Sequence, residues 1–157
     1  IESLPMRFAA VATDLLSGEA KVFDRGDLGF AVQASASVPG LLEPVRLGGR
    51  PYVDGSLSAP VPVDAARGLG AGRVVAVDVT FPPEQADLRD PFDALYQGFS
   101  ILTRKLAMEE RERADLLVDP PIPEHNDMEP ATIKAIIDAG ERAANDALPA
   151  LAKLFSR

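Results

Sequence analysis

Three aspartates stand where a short apolar run gives way to a turn: Asp14 in VATDLLSG, Asp54 in RPYVDGSLSAPVPVD and Asp78 in VAVDV. A carboxylate at such a place can take and return a proton, and ligands of open α/β sheets collect outside the carboxyl ends of strands. Aspartate is also a common turn and capping residue, because its short side chain accepts hydrogen bonds from the backbone that follows it. Asp54 is followed by glycine, a frequent turn pair, and pattern alone does not choose among the three.

Other reactive groups are few. His125 is the one histidine, and a Ser/His/Asp triad drawn entirely from this chain would have to use it. It sits in PPIPEHNDMEP, dense in proline and acids, where a solvated side chain is the expected role. Glu109, Glu110 and Glu112 have no histidine at ligand spacing, so they read as a solvated helix face and no metal is expected. The run GLGAG, Gly68 to Gly72, is similar to part of a dinucleotide-binding loop, but such a loop must follow a strand and open a helix. Here the order is reversed, and the glycines read as a helix stop. Nucleotide binding at the carboxyl edge of the sheet is therefore not the expected role, and no cofactor is expected.

The elements that must position these groups can be read from period and punctuation. Met6 to Phe23 reads as a strand followed by a hairpin turning at Ser17-Gly18. Asp27 caps a short helix, LGFAVQASAS, that ends before Pro39-Gly40. PVRLGGRPYVDG carries two short runs around Gly48-Gly49, a pair suited to a two-residue hairpin turn, and the second run stops at Asp54. Pro62 opens a helix ended by Gly68 and Gly70, and RVVAVDV after it suits a strand buried on both faces. Phe92, Leu95, Phe99, Leu102 and Leu106 recur at helical spacing, giving a helix to Ala114 with a stripe expected to face the core. A lid surface toward lipid is the other reading of that stripe. DLLVDP is a further strand, and Ile133, Ile136, Ile137, Ala144 and Leu148 share a face of a last helix that Pro149 is expected to interrupt. Strands alternating with helices make the class α/β, as a single domain over residues 1–157.

Composition sets outer bounds. The chain has 157 residues, 46% of them hydrophobic, enough for a buried core. With 24 acids against 16 bases the net charge is -8, which disfavours nucleic acid and anionic membrane surfaces as partners. Any approach to lipid would then be through apolar surface. The absence of cysteine excludes disulfides, thiolate metal sites and cysteine nucleophiles, and leaves the compartment, cytoplasmic or exported, unread. No apolar run approaches the length of a transmembrane segment. The chain begins IESLPMRF without an initiator methionine, which suggests a piece of a longer or processed product. Oligomeric state is not legible.

Four landmarks occur in order between Phe8 and Val79: the ATDL strand and its glycine turn, ASASVPG, VDGS, and the stretch from Pro62 through DAAR to VVAVD. The ordered set resembles the second half of bacterial patatin-like phospholipases. ADLLVDP and the closing IIDAGERAA are similar to the last strand and helix of that family. The resemblance implies a three-layer α/β/α fold with a mixed, mainly parallel sheet, of which this chain is the C-terminal part.

It also implies a lipid acyl hydrolase with a Ser/Asp dyad, acting on phospholipid or other fatty-acyl esters. The family's aspartate lies in a DG[GA] motif, here Asp54-Gly55-Ser56, so Asp54 is the implied general base. Gly55 would allow a sharp turn and keep bulk away from the carboxylate. Ser56 replaces the usual glycine or alanine and would be strained if the backbone angle required glycine. Ser35, Ser37 and Pro39, in ASASVPG, belong to a segment implied to support the site. The family's nucleophile sits in a Gly-x-Ser-x-Gly elbow preceded by a glycine-rich oxyanion loop, and neither occurs in these residues. The expectation is that both lie upstream of Ile1, in cis or on a bound companion that completes the sheet. The alternative is a non-catalytic α/β interaction module in which Asp54 is only a turn residue.

Overall fold

A computed structural model describes residues 1–80, 88–122 and 129–156. Six strands and four helices alternate along it, and the α/β class expected from the sequence holds. β1 (Ala10–Asp14) and β2 (Ala20–Phe23) form an antiparallel hairpin whose turn includes Gly18 at φ 76°. Helix α1 (Leu28–Ser35) starts at Asp27, whose carboxylate accepts the Phe30 amide at 2.6 Å. β3 (Val45–Leu47) and β4 (Arg50–Asp54) make a second hairpin. Its two turn residues, Gly48 and Gly49, both have positive φ, which is what a tight turn matching strand twist requires. The four strands form one sheet in the order β2-β1-β4-β3.

A short 3-10 turn, Gly55–Leu57, leaves β4. Helix α2 (Val63–Gly68) follows, then β5 (Val75–Val77), helix α3 (Pro91–Arg111), β6 (Leu116–Val118) and helix α4 (Pro130–Phe155). β5 and β6 pair in parallel, Ala76 opposite Leu117, as a second sheet. Among the described residues, then, three pairings are antiparallel and one is parallel, so the part of the mixed sheet formed here is mainly antiparallel. The reason is local: two tight hairpins account for two of the antiparallel pairings, and a hairpin cannot join parallel neighbours.

Two apolar clusters hold these parts. In the first, Ala31 and Ala34 of α1 lie against Ala10 and Ala12 of β1, beside Phe23 and Tyr52. The small side chains let the helix approach closely, and Phe23 meets Tyr52 edge-on with ring centroids 5.2 Å apart. The second gathers Val61, Val63, Val74, Ala76 and Ala107. The segment leaving Asp54 crosses from one cluster to the other.

Three expectations about packing need correction. β5 is not buried on both faces: Ala76 is, but Val75 and Val77 are exposed, because no described layer covers their side. The stripe on α3 is largely uncovered at Phe92, Leu95 and Leu102, and α3 is buried instead through Ala107. On α4, Ile137 and Leu148 are exposed and Ala139 is the buried residue, since a small side chain allows closer docking. Pro149 does not interrupt α4, which continues to Phe155. Proline there deprives the Asn145 carbonyl of its helical donor, but both residues are exposed and water can replace the lost bond. Among the described residues no helix is long and apolar enough to cross a membrane.

Candidate functional site

Strand direction separates the aspartates first. β1 and β4 are antiparallel, with Ala12 opposite Asp54 and Asp14 opposite Tyr52. Their carboxyl ends therefore point in opposite directions, and Asp14 and Asp54 do not share an edge as a parallel sheet would have had them.

Partners separate them further. Asp14 is committed to the turn it was suspected of serving: one oxygen accepts the Leu16 amide at 2.9 Å, and the other is paired with the Arg50 guanidinium. That hydrogen bond from Arg50 is the main reason its carboxyl is held below the ordinary range. Asp78 is buried, and both oxygens are used. One accepts the amide and hydroxyl of Thr80 at 2.9 and 2.6 Å; the other accepts Arg104 and Arg111 at 2.8 and 2.9 Å. Burial by itself pushes this carboxyl up, but the Thr80 and arginine bonds outweigh it and the net direction is down. Asp78 is thus a structural tie joining the end of β5 to α3.

Asp54 is different. Its Oδ1 caps the 3-10 turn by accepting the Ser56 amide at 2.8 Å, and among the described residues its other oxygen has no hydrogen-bond partner. The side chain borders a cleft of about 540 Å³ with largely apolar walls, including Phe8, Val32, Ala36, Ala59, Pro60 and Pro62. Gly55, Ser56 and Ser35 line the same cleft. The structure therefore brings Asp54, Gly55, Ser56 and Ser35 together around one space.

The backbone around the carboxylate is held from three sides. The Asp54 amide donates to the Ser37 carbonyl at 2.9 Å. Ser37 itself is buried, its hydroxyl donating to the Gln33 carbonyl at 2.7 Å, so the end of α1 is tied to the end of β4. On the other side the Thr13 hydroxyl donates to the Asp54 carbonyl at 2.8 Å and lies 2.8 Å from the Ser58 hydroxyl. Gly55 packs on β1, where a side-chain carbon would come 2.2 Å from the Val11 carbonyl oxygen. Its glycine is required by that close approach rather than by an unusual backbone angle. Nor is Ser56 strained, because no non-glycine residue among those described has positive φ.

The remaining candidates lie elsewhere. Pro39 lines a separate apolar pocket of about 230 Å³ with Phe92, Leu95 and Phe99. Gly68 closes α2, and Gly70, at φ 92°, turns the chain toward β5, a structural stop as the segment order indicated. Glu109 and Glu112 are exposed, but Glu110 is half-buried and accepts the Val61 amide. His125 lies outside the described residues. Thr13, Ser58 and Glu110 were not legible as site residues, since the partners that give them meaning lie more than forty residues away in sequence.

The sequence model described as Patatin-like phospholipase matches residues 4–67, a span running from the approach to β1 into α2. An uncharacterized NTE family protein of Mycobacterium tuberculosis is 40% identical over 79 residues, covering 50% of this chain and 22% of that protein. A second uncharacterized NTE family protein of the same organism is 28% identical over 175 residues, covering 96% of this chain and 30% of its own length. Patatin-like phospholipase domain-containing protein 7 of Mus musculus is 34% identical over 107 residues, which is 67% of this chain and 8% of the mouse protein. The likeness thus extends beyond bacteria, and the chain spans less than a third of the length of each of these relatives. The matched span contains the Asp54 motif and the strands that hold it, and over that span the chain is similar to the patatin-like phospholipase family.

Proposed function

We propose that these residues form the base-bearing, C-terminal part of a lipid acyl hydrolase domain, with Asp54 as general base. The observation that carries this reading is the contrast among the three strand-end carboxylates. Asp14 and Asp78 are neutralised by arginines, whereas Asp54 keeps one oxygen uncommitted beside an apolar-walled cleft. A fatty-acyl chain suits such walls, so phospholipid or another fatty-acyl ester is the proposed substrate class.

The cycle needs a nucleophile from polypeptide other than these residues, in cis or on a bound companion. In it a serine hydroxyl attacks the ester carbonyl as Asp54 takes its proton, and backbone amides stabilise the oxyanion. Collapse of the tetrahedral adduct expels the alcohol, which receives that proton from Asp54. Water then attacks the acyl-enzyme with Asp54 again accepting a proton, and the fatty acid leaves as the serine is reprotonated. No cofactor enters.

The test is hydrolysis of p-nitrophenyl esters of several chain lengths by the full-length protein and by Asp54→Asn. Asparagine keeps the oxygen that caps Ser56 but is not a base. A loss of about 10²–10⁴ in kcat is expected, the usual contribution of a general base. Hydrolysis at the original rate by Asp54→Asn removes the residue from the mechanism and favours the non-catalytic module.

A further inference from the structure

We propose that Glu110 is a positioning residue of the Asp54 cleft, holding the wall formed by residues 59–62 through the amide of Val61. The proposal rests on the reading of Asp54 as general base.

Three observations converge on this residue. Pro60 and Pro62 line the cleft and, as prolines, have no N–H, so the Val61 amide is the one backbone donor in the stretch 60–62. That donor is given to Glu110 Oε2 at 2.9 Å, across 49 residues of sequence. The Val61 side chain is meanwhile buried in the second apolar cluster with Ala107, which precedes Glu110 by one helical turn on α3. Helix α3 therefore grips the cleft wall twice, once through apolar packing and once through a charge-assisted hydrogen bond.

Glu110 is not the solvated group that its run of charged neighbours suggests. Burial pushes its carboxyl up, and the nearby Asp64 adds to this, while the Val61 amide and Arg113 act in the opposite sense. A carboxylate placed where burial opposes its charge, and bonded to one backbone amide, fits a role in fixing that amide. Because Ala59, Pro60 and Pro62 border the space a substrate would fill, releasing Val61 should loosen substrate binding more than chemistry.

The experiment compares Glu110→Ala, Glu110→Gln and Asp54→Asn in the full-length protein, at a temperature where circular dichroism shows each fully folded. Glutamine retains a carbonyl acceptor for Val61 and nearly the same shape. Glu110→Ala is expected to raise KM about tenfold with kcat within about threefold, while Glu110→Gln stays within about twofold of the parent in both. Amide hydrogen exchange at Val61 should quicken in Glu110→Ala and not in Glu110→Gln. The proposal is overturned if Glu110→Ala lowers only the melting temperature and leaves KM unchanged, or if Glu110→Gln is as impaired as alanine. Full hydrolysis by Asp54→Asn would instead overturn the reading of Asp54, a separate result because exchange at Val61 reports on Glu110 directly.

Discussion

Gly55 sits against the Val11 carbonyl so closely that any side-chain carbon at position 55 would stand 2.2 Å from that oxygen. The contact lies between the end of β4 and the middle of its neighbour β1, and it is backbone on the β1 side. Relief cannot come from a side chain swinging away. β1 is also fixed from both edges, paired with β2 on one side and β4 on the other. Gly55→Ala is therefore expected to cost at least about 2 kcal/mol, the range for forced overpacking of a core. Thermal unfolding of the full-length protein checks this, with a fall of about 5 °C or more expected. A variant with unchanged melting temperature would mean that the two strands are not held this close.

Thr13 offers a gentler probe of the same region. Its buried hydroxyl donates to the Asp54 carbonyl and lies within hydrogen-bond reach of Ser58. Thr13→Val keeps the shape and leaves that carbonyl without its donor, which should cost about 1–3 kcal/mol. Thr13→Ser keeps the hydroxyl and should recover most of the loss. Chemical denaturation midpoints at constant slope distinguish the two, and equal loss in both variants would show that methyl packing matters more than the bond.

Asp78 should make the protein acid-sensitive. Its carboxyl in the folded state titrates below its ordinary value, net of burial pushing up and the bonds from Thr80, Arg111 and Arg104 pulling down. A depressed acid stabilises the fold while it is ionised, so this contribution is present above about pH 4 and is lost as pH falls through the lowered folded value. Asp78→Asn removes the charge that faces two arginines and should cost about 2–4 kcal/mol at neutral pH, toward the lower end for a buried pair because the arginines are partly exposed. Unfolding midpoints measured from pH 6 to pH 2 should converge for the parent and the variant at the acid end. Parallel curves would assign the acid sensitivity to other carboxylates.

Much of the local structure was legible because it depends on neighbours in sequence. Asp27 and Gly48-Gly49 act where they stand, through a cap and a turn closed within a few residues. The VDGS element was different, since its apolar run, carboxylate and glycine suit an ordinary turn equally well and only its place in the ordered set of landmarks singled it out. The face of α3 was misread because helical periodicity reports that a stripe exists, not what covers it. Ala107 and Ala139, not the large residues, mark the buried sides. Pro149 was misread because solvent can replace the hydrogen bond it removes.

Taken alone, the amino-acid order determined the hairpins, the caps, the acidic balance and the three carboxylates at strand ends. The pattern at the strand ends left those carboxylates equal, and only the resemblance favoured Asp54. Only the tertiary structure gave them different partners, by bringing Arg50 to Asp14, and Arg104 and Arg111 to Asp78, from 26 to 36 residues away. It also turned β1 against β4, so that Asp54 alone of the pair borders the cleft. Such choices depend on which distant side chains packing brings within about 3 Å, the range over which a hydrogen bond acts, and that distance is set by the assembled core rather than by sequence spacing.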